Sequence, residues 1–226
     1  MKKVLLLDLD NTILDFDKAE EMALKPVLDK YGIEDNEINR KLYSKINLSF
    51  WKRLERKELT REEVVSLRWE EFFSHFGIAS NGKEINKIYF EGLKNGGYPL
   101  EGAIEFLKEA NKHFDLYLVS NGIKEVQDNR IRISGVGPYF KKRFISEEIG
   151  YVKPEKEFFD VVFKEAGLSK EECIVIGDSL TSDIQGAINS NIDYIYFDRY
   201  NKDKNYQDGP HCSSLEQVLK IALEMR

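Results

Sequence analysis

Cysteine is scarce in this sequence, since Cys173 and Cys212 are the only two in 226 residues. Two cysteines cannot supply a disulfide framework for a chain of this length, so a disulfide-based fold is excluded. Stability has to come from a packed core, and a hydrophobic content of 42% is enough to build one. The low cysteine content also fits a reducing compartment.

Long apolar runs are missing as well. The first run, Val4–Leu7, meets Asp8 too early to be the roughly 7–15 apolar residues of a secretory signal. No later stretch approaches the ~20 apolar residues that cross a bilayer. We therefore expect a cytoplasmic protein that has no membrane partner.

An excess of positive charge is also absent. Lys and Arg total 34 against 40 Asp and Glu, which gives a formal net charge of −6. Non-specific binding of nucleic acid needs a broad positive field, so we expect no nucleic-acid partner. A small anionic substrate remains compatible, because one site can be locally positive on an acidic protein. The sequence carries no signal for an oligomeric state.

The sequence does contain a series of short, strongly apolar segments. Each is rich in branched or aromatic residues and is bounded by polar residues or glycine, as is typical of strands buried on both faces of a parallel sheet. The four clear segments are Val4–Leu7, Leu116–Val119, Ile174–Ile176 and Tyr194–Phe197, and a weaker fifth is Phe144–Ile145. Helical patterns lie between or after them at Glu101–Lys112, Glu155–Glu165, Asp183–Asn191 and Ser214–Met225. This alternation predicts an α/β fold with a doubly wound parallel sheet.

The alternation is interrupted between residues 16 and 96, where no strand-like run occurs. Asp17 and Glu20 have the spacing of a capping box, and Pro26 should kink the first helix or delay its start. Further helices are expected at Asn36–Glu55, after a Thr60–Glu63 capping box, and at Lys83–Leu93. The chain is therefore expected to form an α/β core domain from residues 1–15 and 97–226, with a helical domain, 16–96, inserted after the first strand.

Two carboxylates, Asp8 and Asp10, follow the first predicted strand. Ligands bind at the carboxyl ends of strands in open α/β sheets. Two carboxylates this close together can have different roles, one attacking phosphorus and the other donating a proton to the leaving oxygen. Taken alone, however, the pair is better explained by a strand end followed by an Asx-type turn.

Three later segments change this interpretation, because each follows a predicted strand or opens a helix. Ser120–Gly122 can hold a phosphate through its hydroxyl and backbone N–H groups. Lys153 lies at the end of a loop, where it can reach an anion. Asp178 and Asp183 offer oxygen ligands of the kind that a hard divalent cation prefers. Clustered carboxylates repel each other unless a cation is near, so the lysine and a metal ion fit the same site.

In this order, and over nearly the whole chain, these segments resemble the four motifs of the haloacid dehalogenase superfamily. The matching segments are Asp8–Thr12, Ser120–Gly122, Lys153-Pro154 and Gly177–Asp183. The resemblance implies the superfamily's sheet order, 5-4-1-2-3, with Asp8 at the end of the central strand. It also implies that the inserted helical domain is a C1 cap.

The same resemblance implies roles for the acidic residues. Asp8 is expected to be the nucleophile, forming an aspartyl-phosphate, and Asp10 the general acid/base. The implied cofactor is Mg²⁺, held by the Asp8 carboxylate, the Asp10 backbone carbonyl and Asp178. Asp183 is expected to support the metal directly or through water.

Phosphate binding is assigned by the resemblance to residues of the first three motifs. Ser120 and Lys153 are expected to hold the phosphoryl oxygens. Leu9, Asp10 and Asn121 are further phosphate-binding candidates. The implied partner is a small-molecule phosphate ester.

An acid at position 10 narrows the choice within the superfamily. Dehalogenase members lack an acid there and transport ATPases carry threonine, so Asp10 indicates a phosphatase or a phosphomutase. Three segments are similar to the noncanonical pyrimidine nucleotidases: Asp10–Phe16, Ser146–Gly150 with Lys153-Pro154, and Asp178–Ile184. This likeness implies a 5′-nucleotidase that acts on pyrimidine nucleoside monophosphates.

Substrate preference is expected to come from the inserted domain and from the segment just after Asp10. Phe16, Phe50 and Trp51 are the aromatic candidates for stacking a nucleobase. For any single ring, however, packing in the core of the inserted domain is the favoured interpretation.

Other functions stay open at this point. The substrate can be another small phosphate ester, such as a sugar phosphate or phosphoglycolate, and a β-phosphoglucomutase-like phosphomutase would use the same Asp8 and Asp10. A receiver-like signalling domain also combines carboxylates with a lysine. In such a domain the acidic pair and the phosphorylated aspartate lie on different strands, and no helical domain is inserted.

Overall fold

The computed structural model describes residues 2–226. They form two compact units. One unit comprises the segment that ends at Asp15 together with Gly97–Arg226, and the other comprises Phe16–Gly96. We describe each unit by itself.

Six strands and ten α-helices make up these units. The strands are β1 Val4–Leu7, β2 Asp115–Ser120, β3 Lys142–Ile145, β4 Cys173–Gly177, β5 Asp193–Phe197 and β6 His211–Cys212. The helices of the second unit are α1 Phe16–Tyr31, α2 Glu37–Glu55, α3 Arg61–Ser74 and α4 Gly82–Lys94. The helices of the first unit are α5 Ala103–Ala110, α6 Lys124–Ser134, α7 Ser146–Ile149, α8 Lys156–Ala166, α9 Gln185–Ser190 and α10 Leu215–Glu224.

The first unit is built on one parallel sheet with the strand order β3-β2-β1-β4-β5-β6. Read from β5 to β3 this is 5-4-1-2-3, so the predicted sheet order and the doubly wound α/β class are confirmed. All five predicted strands are present, including the weak one at β3. The short edge strand β6 was not predicted, because two residues carry no periodic signal.

Burial on both faces explains why β1 is uniformly apolar. Leu5 and Leu7 face a core cluster that includes residues of α5, α6 and α10. Val4 and Leu6 face the opposite cluster, which includes residues of α8 and α9. Since helices cover both faces, neither set of alternating residues has to be polar. The central position of β1 then places its carboxyl end between the ends of β2 and β4.

The second unit consists of α1–α4, and α2, α3 and α4 each start after a residue whose side chain caps the helix. Asn36 accepts a hydrogen bond from the Asn39 backbone N–H at the start of α2. Thr60 and Glu63 form the predicted capping box at the start of α3. The capping-box prediction is confirmed, and both caps reflect local chemistry that needs no tertiary partner.

The start of α1 differs from the prediction. The helix begins at Phe16, so Asp17 lies in its first turn and Asp17 and Glu20 are not a capping box. Pro26 lies inside the continuous helix, so the prediction of a late start is wrong. Ala23 and Val27 are buried on the inner face, and this packing outweighs the single backbone hydrogen bond that proline removes.

A buried polar network joins all four helices of the second unit. The guanidinium of Arg68 on α3 donates to Asn47 Oδ1 on α2 at 2.5 Å and to Asn86 Oδ1 on α4 at 2.7 Å. Asn47 Nδ2 donates to Glu20 Oε1 on α1 at 2.7 Å. Burial raises the pKa of Glu20 to about 7, although Asn47 and Arg68 counteract it.

Within residues 2–226, none of the helices has both the length and the apolar character that crossing a bilayer demands.

Candidate active site

Asp8 is held at the end of the central strand. Its backbone N–H donates to the Ile176 carbonyl at 2.9 Å, which continues the pairing of β1 with β4 by one residue. The side chain is nearly buried, with 7% of the residue exposed. The sheet therefore fixes the backbone from which the Asp8 carboxylate projects.

A tight turn after Asp8 positions Asp10. The backbone N–H groups of Ile13 and Leu14 both donate to the Leu9 carbonyl, at 3.0 and 2.8 Å. Asn11 has a φ of 56°, a left-handed conformation that asparagine tolerates better than most residues. Leu9 itself is fully buried in the core. The turn thus places the Asp10 carboxylate at the strand end, where 29% of its side chain stays exposed.

The end of β2 contributes Ser120 and Asn121. The Ser120 hydroxyl accepts the Gly122 backbone N–H at 3.1 Å. Both polar atoms of the Asn121 amide bond to the backbone of Lys153, at 2.8 Å each. In this arrangement the Asn121 side chain holds the segment that carries Lys153.

Lys153 lies at the centre of the cluster and is almost completely buried. Its ammonium donates to Asp8 Oδ1 at 2.7 Å, to Asp183 Oδ1 at 2.6 Å and to the Val119 carbonyl at 2.9 Å. These three acceptors match the three protons of an ammonium group. Lys153 therefore joins the ends of β1 and β2 to the loop after β4.

Asp183 is presented by an irregular turn. Leu180–Ile184 form one turn of π-helix, a rare element that is frequent at functional sites. Ser179 caps this turn by accepting the Ser182 N–H, and its own N–H donates to Asp183 Oδ2 at 3.2 Å. The predicted helix from Asp183 therefore begins as this π-turn and continues as α9. A Cβ at Gly177 would overlap the Asp183 carboxylate, so the glycine leaves the space that Asp183 occupies.

The charges in the cluster shift each other. Burial raises the pKa of Asp8 to about 7, because the nearby Lys153 only partly offsets the loss of water and the charges of Asp183 and Asp10 add to it. Burial also acts to lower the pKa of Lys153, but the charges of Asp183 and Asp8 outweigh it and the net pKa is raised. Lys153 therefore stays protonated. The positive charge of Lys153 is not enough to balance the surrounding carboxylates.

Asp178 shows this shortage of positive charge most clearly. Burial and the charges of Asp8, Asp183 and Asp10 raise its pKa well above the usual range for an aspartate. One carboxylate oxygen from each of Asp8, Asp178 and Asp183 lies within 4.8 Å of the other two. Oxygen ligands at this spacing, with too little positive charge among them, fit a hard divalent cation. Such an ion would keep Asp8 and Asp178 ionised.

Two residues that the sequence analysis did not identify also reach the site. Gln127 and Arg130 lie on α6, are both buried, and donate to the two oxygens of the Asp10 carboxylate. Their only signal in the sequence is a spacing of three on a helix, which is too common to single them out.

The three aromatic candidates for substrate preference lie in the second unit. Phe50 is buried, whereas Phe16 and Trp51 are partly exposed. The indole N–H of Trp51 donates to Asn47 Oδ1 at 3.1 Å, so the ring is anchored to the buried network. Arg61 lies over the Trp51 ring, 5.9 Å from its centroid. Their role in substrate preference remains a prediction.

The cluster as a whole combines the buried carboxylate of Asp8, a second carboxylate two residues away, a buried cation and a metal-compatible acidic group. This set suits transfer of an anionic group to a carboxylate oxygen, since the lysine and a metal ion can compensate the charges that would otherwise repel.

Comparisons with known proteins agree with this chemistry. The sequence profile of the haloacid dehalogenase-like hydrolases matches residues 2–191. The chain is 39% identical over 210 residues to the pyrimidine 5′-nucleotidase PynA of Streptococcus pneumoniae, covering 92% of this chain and 89% of PynA. It is 37% identical over 185 residues to the HAD-hydrolase YfnB of Bacillus subtilis, covering 81% of this chain and 79% of YfnB.

A solved structure gives the same result in three dimensions. The crystal structure of YfnB, bound to magnesium and revealing interdomain movement, superposes with a TM-score of 0.90 at 33% identity. The superposition covers 98% of each chain.

Proposed function

Because this chain belongs to the haloacid dehalogenase-like hydrolases and is a phosphatase of that family, we propose that it is a Mg²⁺-dependent 5′-nucleotidase that works through an aspartyl-phosphate on Asp8. The preferred substrates in this proposal are pyrimidine nucleoside monophosphates. The observation that carries it is the contact of Lys153 with both Asp8 and Asp183, with Asp178 within reach of both carboxylates and Asp10 close enough for its charge to act on Asp8. We further propose that the first unit is the catalytic core and that Phe16–Gly96 is its C1 cap.

In the first step, a carboxylate oxygen of Asp8 attacks the phosphorus atom. The bond between phosphorus and the 5′ oxygen of the nucleoside breaks as the Asp8–phosphorus bond forms. Asp10 in its acid form donates a proton to that leaving oxygen, which departs as an alcohol. The Ser120 hydroxyl donates to a phosphoryl oxygen during the transfer, and the positive charge of Lys153 beside Asp8 offsets the negative charge of the phosphoryl group.

In the second step, the Asp10 carboxylate takes a proton from a water molecule that attacks the same phosphorus atom. The bond to Asp8 breaks, inorganic phosphate leaves, and both aspartates return to their starting states. One carboxylate thus serves as acid and then as base.

Asp8 and Asp178 would hold the metal ion, together with the Asp10 backbone carbonyl and with Asp183 directly or through water. Bound there, Mg²⁺ supplies positive charge that offsets the repulsion between the phosphate and the aspartates.

The choice of substrate is supported by the similarity to PynA, which is a pyrimidine 5′-nucleotidase. A partly exposed aromatic ring such as Trp51 can stack on a nucleobase, a contact worth about 1–3 kcal/mol.

Replacing the nucleophile tests the core of the proposal. Asp8→Asn keeps the size of the side chain but removes its nucleophilic oxygen, so we expect phosphate release from UMP to fall by at least ~10³-fold. In the wild-type protein, we expect a covalent phosphate on Asp8 when the reaction is quenched with acid and the modified residue is mapped. Substantial turnover by a correctly folded Asp8→Asn protein would remove Asp8 from this role.

A substrate panel with Mg²⁺ tests the leaving group. It comprises UMP, dUMP, TMP, purine nucleotides, phosphoglycolate and sugar phosphates, with Asp8→Asn as the control for contaminating phosphatases. We expect the largest kcat/KM for a pyrimidine nucleotide and loss of activity with EDTA. A large preference for a sugar phosphate, or isomerised product without phosphate release, contradicts the nucleotidase assignment.

We also infer a cytoplasmic location. Cys173 and Cys212 are both free and buried, which fits a reducing compartment. Cell fractionation with an antibody to the chain tests this.

A further inference from the structure

Helix α6 directs two buried polar side chains at the Asp10 carboxylate. Gln127 Nε2 donates to Asp10 Oδ2 at 2.7 Å, and Arg130 Nη1 donates to Asp10 Oδ1. The exposure of Gln127 is 1% and that of Arg130 is 0%, whereas 29% of the Asp10 side chain is exposed. The two donors therefore hold the carboxylate from its buried side and leave its outer side accessible.

The two donors also hold each other. Arg130 Nη1 donates to Gln127 Oε1 at 2.9 Å, which determines which end of the Gln127 amide faces Asp10. The second proton of Gln127 Nε2 goes to Ser120 Oγ at 2.9 Å. Each nitrogen thus uses both of its protons, one on Asp10 and one on a neighbouring acceptor.

Two further features indicate that this arrangement is built into the fold. A Cβ at position 122 would overlap the Gln127 side chain, so Gly122 leaves the space in which that amide lies. Burying an arginine completely is costly unless its charge is paired, and the carboxylate that pairs with Arg130 here is Asp10. Arg130, the most buried charged side chain of α6, therefore pairs with the residue proposed as the acid/base.

We propose that Gln127 and Arg130 are positioning residues that hold the Asp10 carboxylate in one orientation, and that Gln127 also sets its placement relative to Ser120. This inference rests on the proposed function, because it needs Asp10 to transfer protons. Proton transfer depends on heavy-atom distances of ~2.6–3.2 Å, and a displacement of about 1 Å costs about 10²-fold in rate. Ser120 is the proposed phosphate ligand, so the Gln127 amide links the orientation of the acid/base to the position of the phosphoryl group.

A double-mutant cycle on kcat tests the proposal. Gln127→Leu removes both hydrogen bonds at similar size, and Arg130→Met removes the charge but keeps the stem. Each is measured alone and combined with Asp10→Asn, with UMP as the substrate. We expect each single variant to lower kcat by about 10–100-fold with KM changed less than about threefold. In the Asp10→Asn background Arg130→Met should not lower kcat further, and Gln127→Leu should lower it by a smaller factor than in the wild type, because only its bond to Ser120 is left to lose.

Two additional variants separate positioning from a purely structural role. Arg130→Lys retains a cation at the site and should recover part of the kcat lost in Arg130→Met. Arg132→Met is the matched control, since Arg132 is exposed on the same helix, and it should leave kcat unchanged. Thermal unfolding shows whether Arg130→Met is folded, and Gln127→Leu carries the test if it is not.

The outcomes distinguish this inference from the proposed function. If Gln127→Leu lowers kcat by the same factor in the wild-type and Asp10→Asn backgrounds, the positioning role is overturned while the acid/base role stands. An unchanged kcat in Gln127→Leu overturns it as well. If Asp10→Asn alone keeps full turnover, the acid/base role of Asp10 in the proposed function fails instead.

Discussion

Lys153 shows at the scale of a single residue how the site is held together. A buried ammonium needs an acceptor for each proton, and Lys153 finds them on Asp8, Asp183 and the backbone of Val119. The aspartates have too little positive charge around them, and burial and mutual repulsion raise the pKa of both Asp8 and Asp178. The metal-free cluster is therefore a local source of instability that a bound cation would relieve.

This imbalance leads to a prediction for Asp178→Asn. The neutral amide removes one of the repelling carboxylates, so we expect the metal-free variant to unfold at a higher temperature than the metal-free wild type. For a protein of this size, each kcal/mol of relief raises the midpoint by about 2–4 °C. The same change removes a proposed metal ligand, so the further stabilisation that Mg²⁺ gives the wild type should disappear.

Thermal unfolding with EDTA and with Mg²⁺ measures both effects. Asp160→Asn is the control, because Asp160 is exposed on α8 and should show neither effect beyond about 0.5 kcal/mol. A metal-free Asp178→Asn protein less stable than the wild type would contradict the repulsion argument.

Helix α1 illustrates what decides structure at the scale of an element. Local signals favour a start near Asp17 and a break at Pro26, but the helix begins at Phe16 and runs to Tyr31. Its inner face includes Glu20, whose carboxyl bonds to Asn47 inside the second unit. Tertiary packing therefore determines both the length of the helix and the environment of this acid.

The buried Glu20 predicts a pH dependence of stability. Burial raises its pKa from an ordinary 4.5 to about 7. Because the folded-state pKa is the higher one, Glu20 contributes stability fully below pH 4.5, and this contribution is lost as the pH rises to about 7. The loss corresponds to about 3 kcal/mol, as each pKa unit is worth about 1.4 kcal/mol. We expect Glu20→Gln to abolish that part of the decline.

Tryptophan fluorescence in urea provides the measurement, because both tryptophans of the chain, Trp51 and Trp69, lie in the second unit. The comparison is between wild type and Glu20→Gln at pH 4.5 and pH 7.5. Glu21→Gln is the matched control, since the neighbouring Glu21 is exposed and should keep the wild-type decline. Identical declines in all three proteins would show that Glu20 ionises without cost.

The whole molecule is divided between two units with separate cores. Asp8, Asp10, Ser120, Lys153 and Asp178 all belong to the first unit, whereas the aromatic candidates for substrate preference belong to the second. If this division is also functional, a change in the second unit should affect the choice of leaving group and spare the transfer of the phosphoryl group.

Trp51→Ala tests this division. Loss of a stacking ring should lower kcat/KM for UMP by about 5–150-fold, which corresponds to about 1–3 kcal/mol. Hydrolysis of acetyl phosphate, which carries no ring, should change little. Trp51→Phe retains an aromatic face and should restore part of the UMP activity. An equal loss on both substrates would mean that Trp51 supports the fold of the second unit rather than nucleotide recognition.

The sequence by itself determined the features that depend on local chemistry and on periodicity. The apolar runs specified β1 to β5, the Thr60–Glu63 pair specified the start of α3, and the acidic, hydroxyl and lysine residues that follow the strands indicated phosphoryl chemistry. These signals are readable because each depends on residues close together in the chain.

Only the tertiary structure decided which contacts form between residues of different helices, strands and loops. It directs the Asn121 amide to the Lys153 backbone, carries α1 through Pro26, and brings Gln127 and Arg130 from α6 to Asp10. Asp10 and Arg130 are separated by 120 positions, and no local pattern encodes a contact of that span. Such contacts form because packing of α6 against the sheet brings the two side chains together, and burial then makes their pairing obligatory.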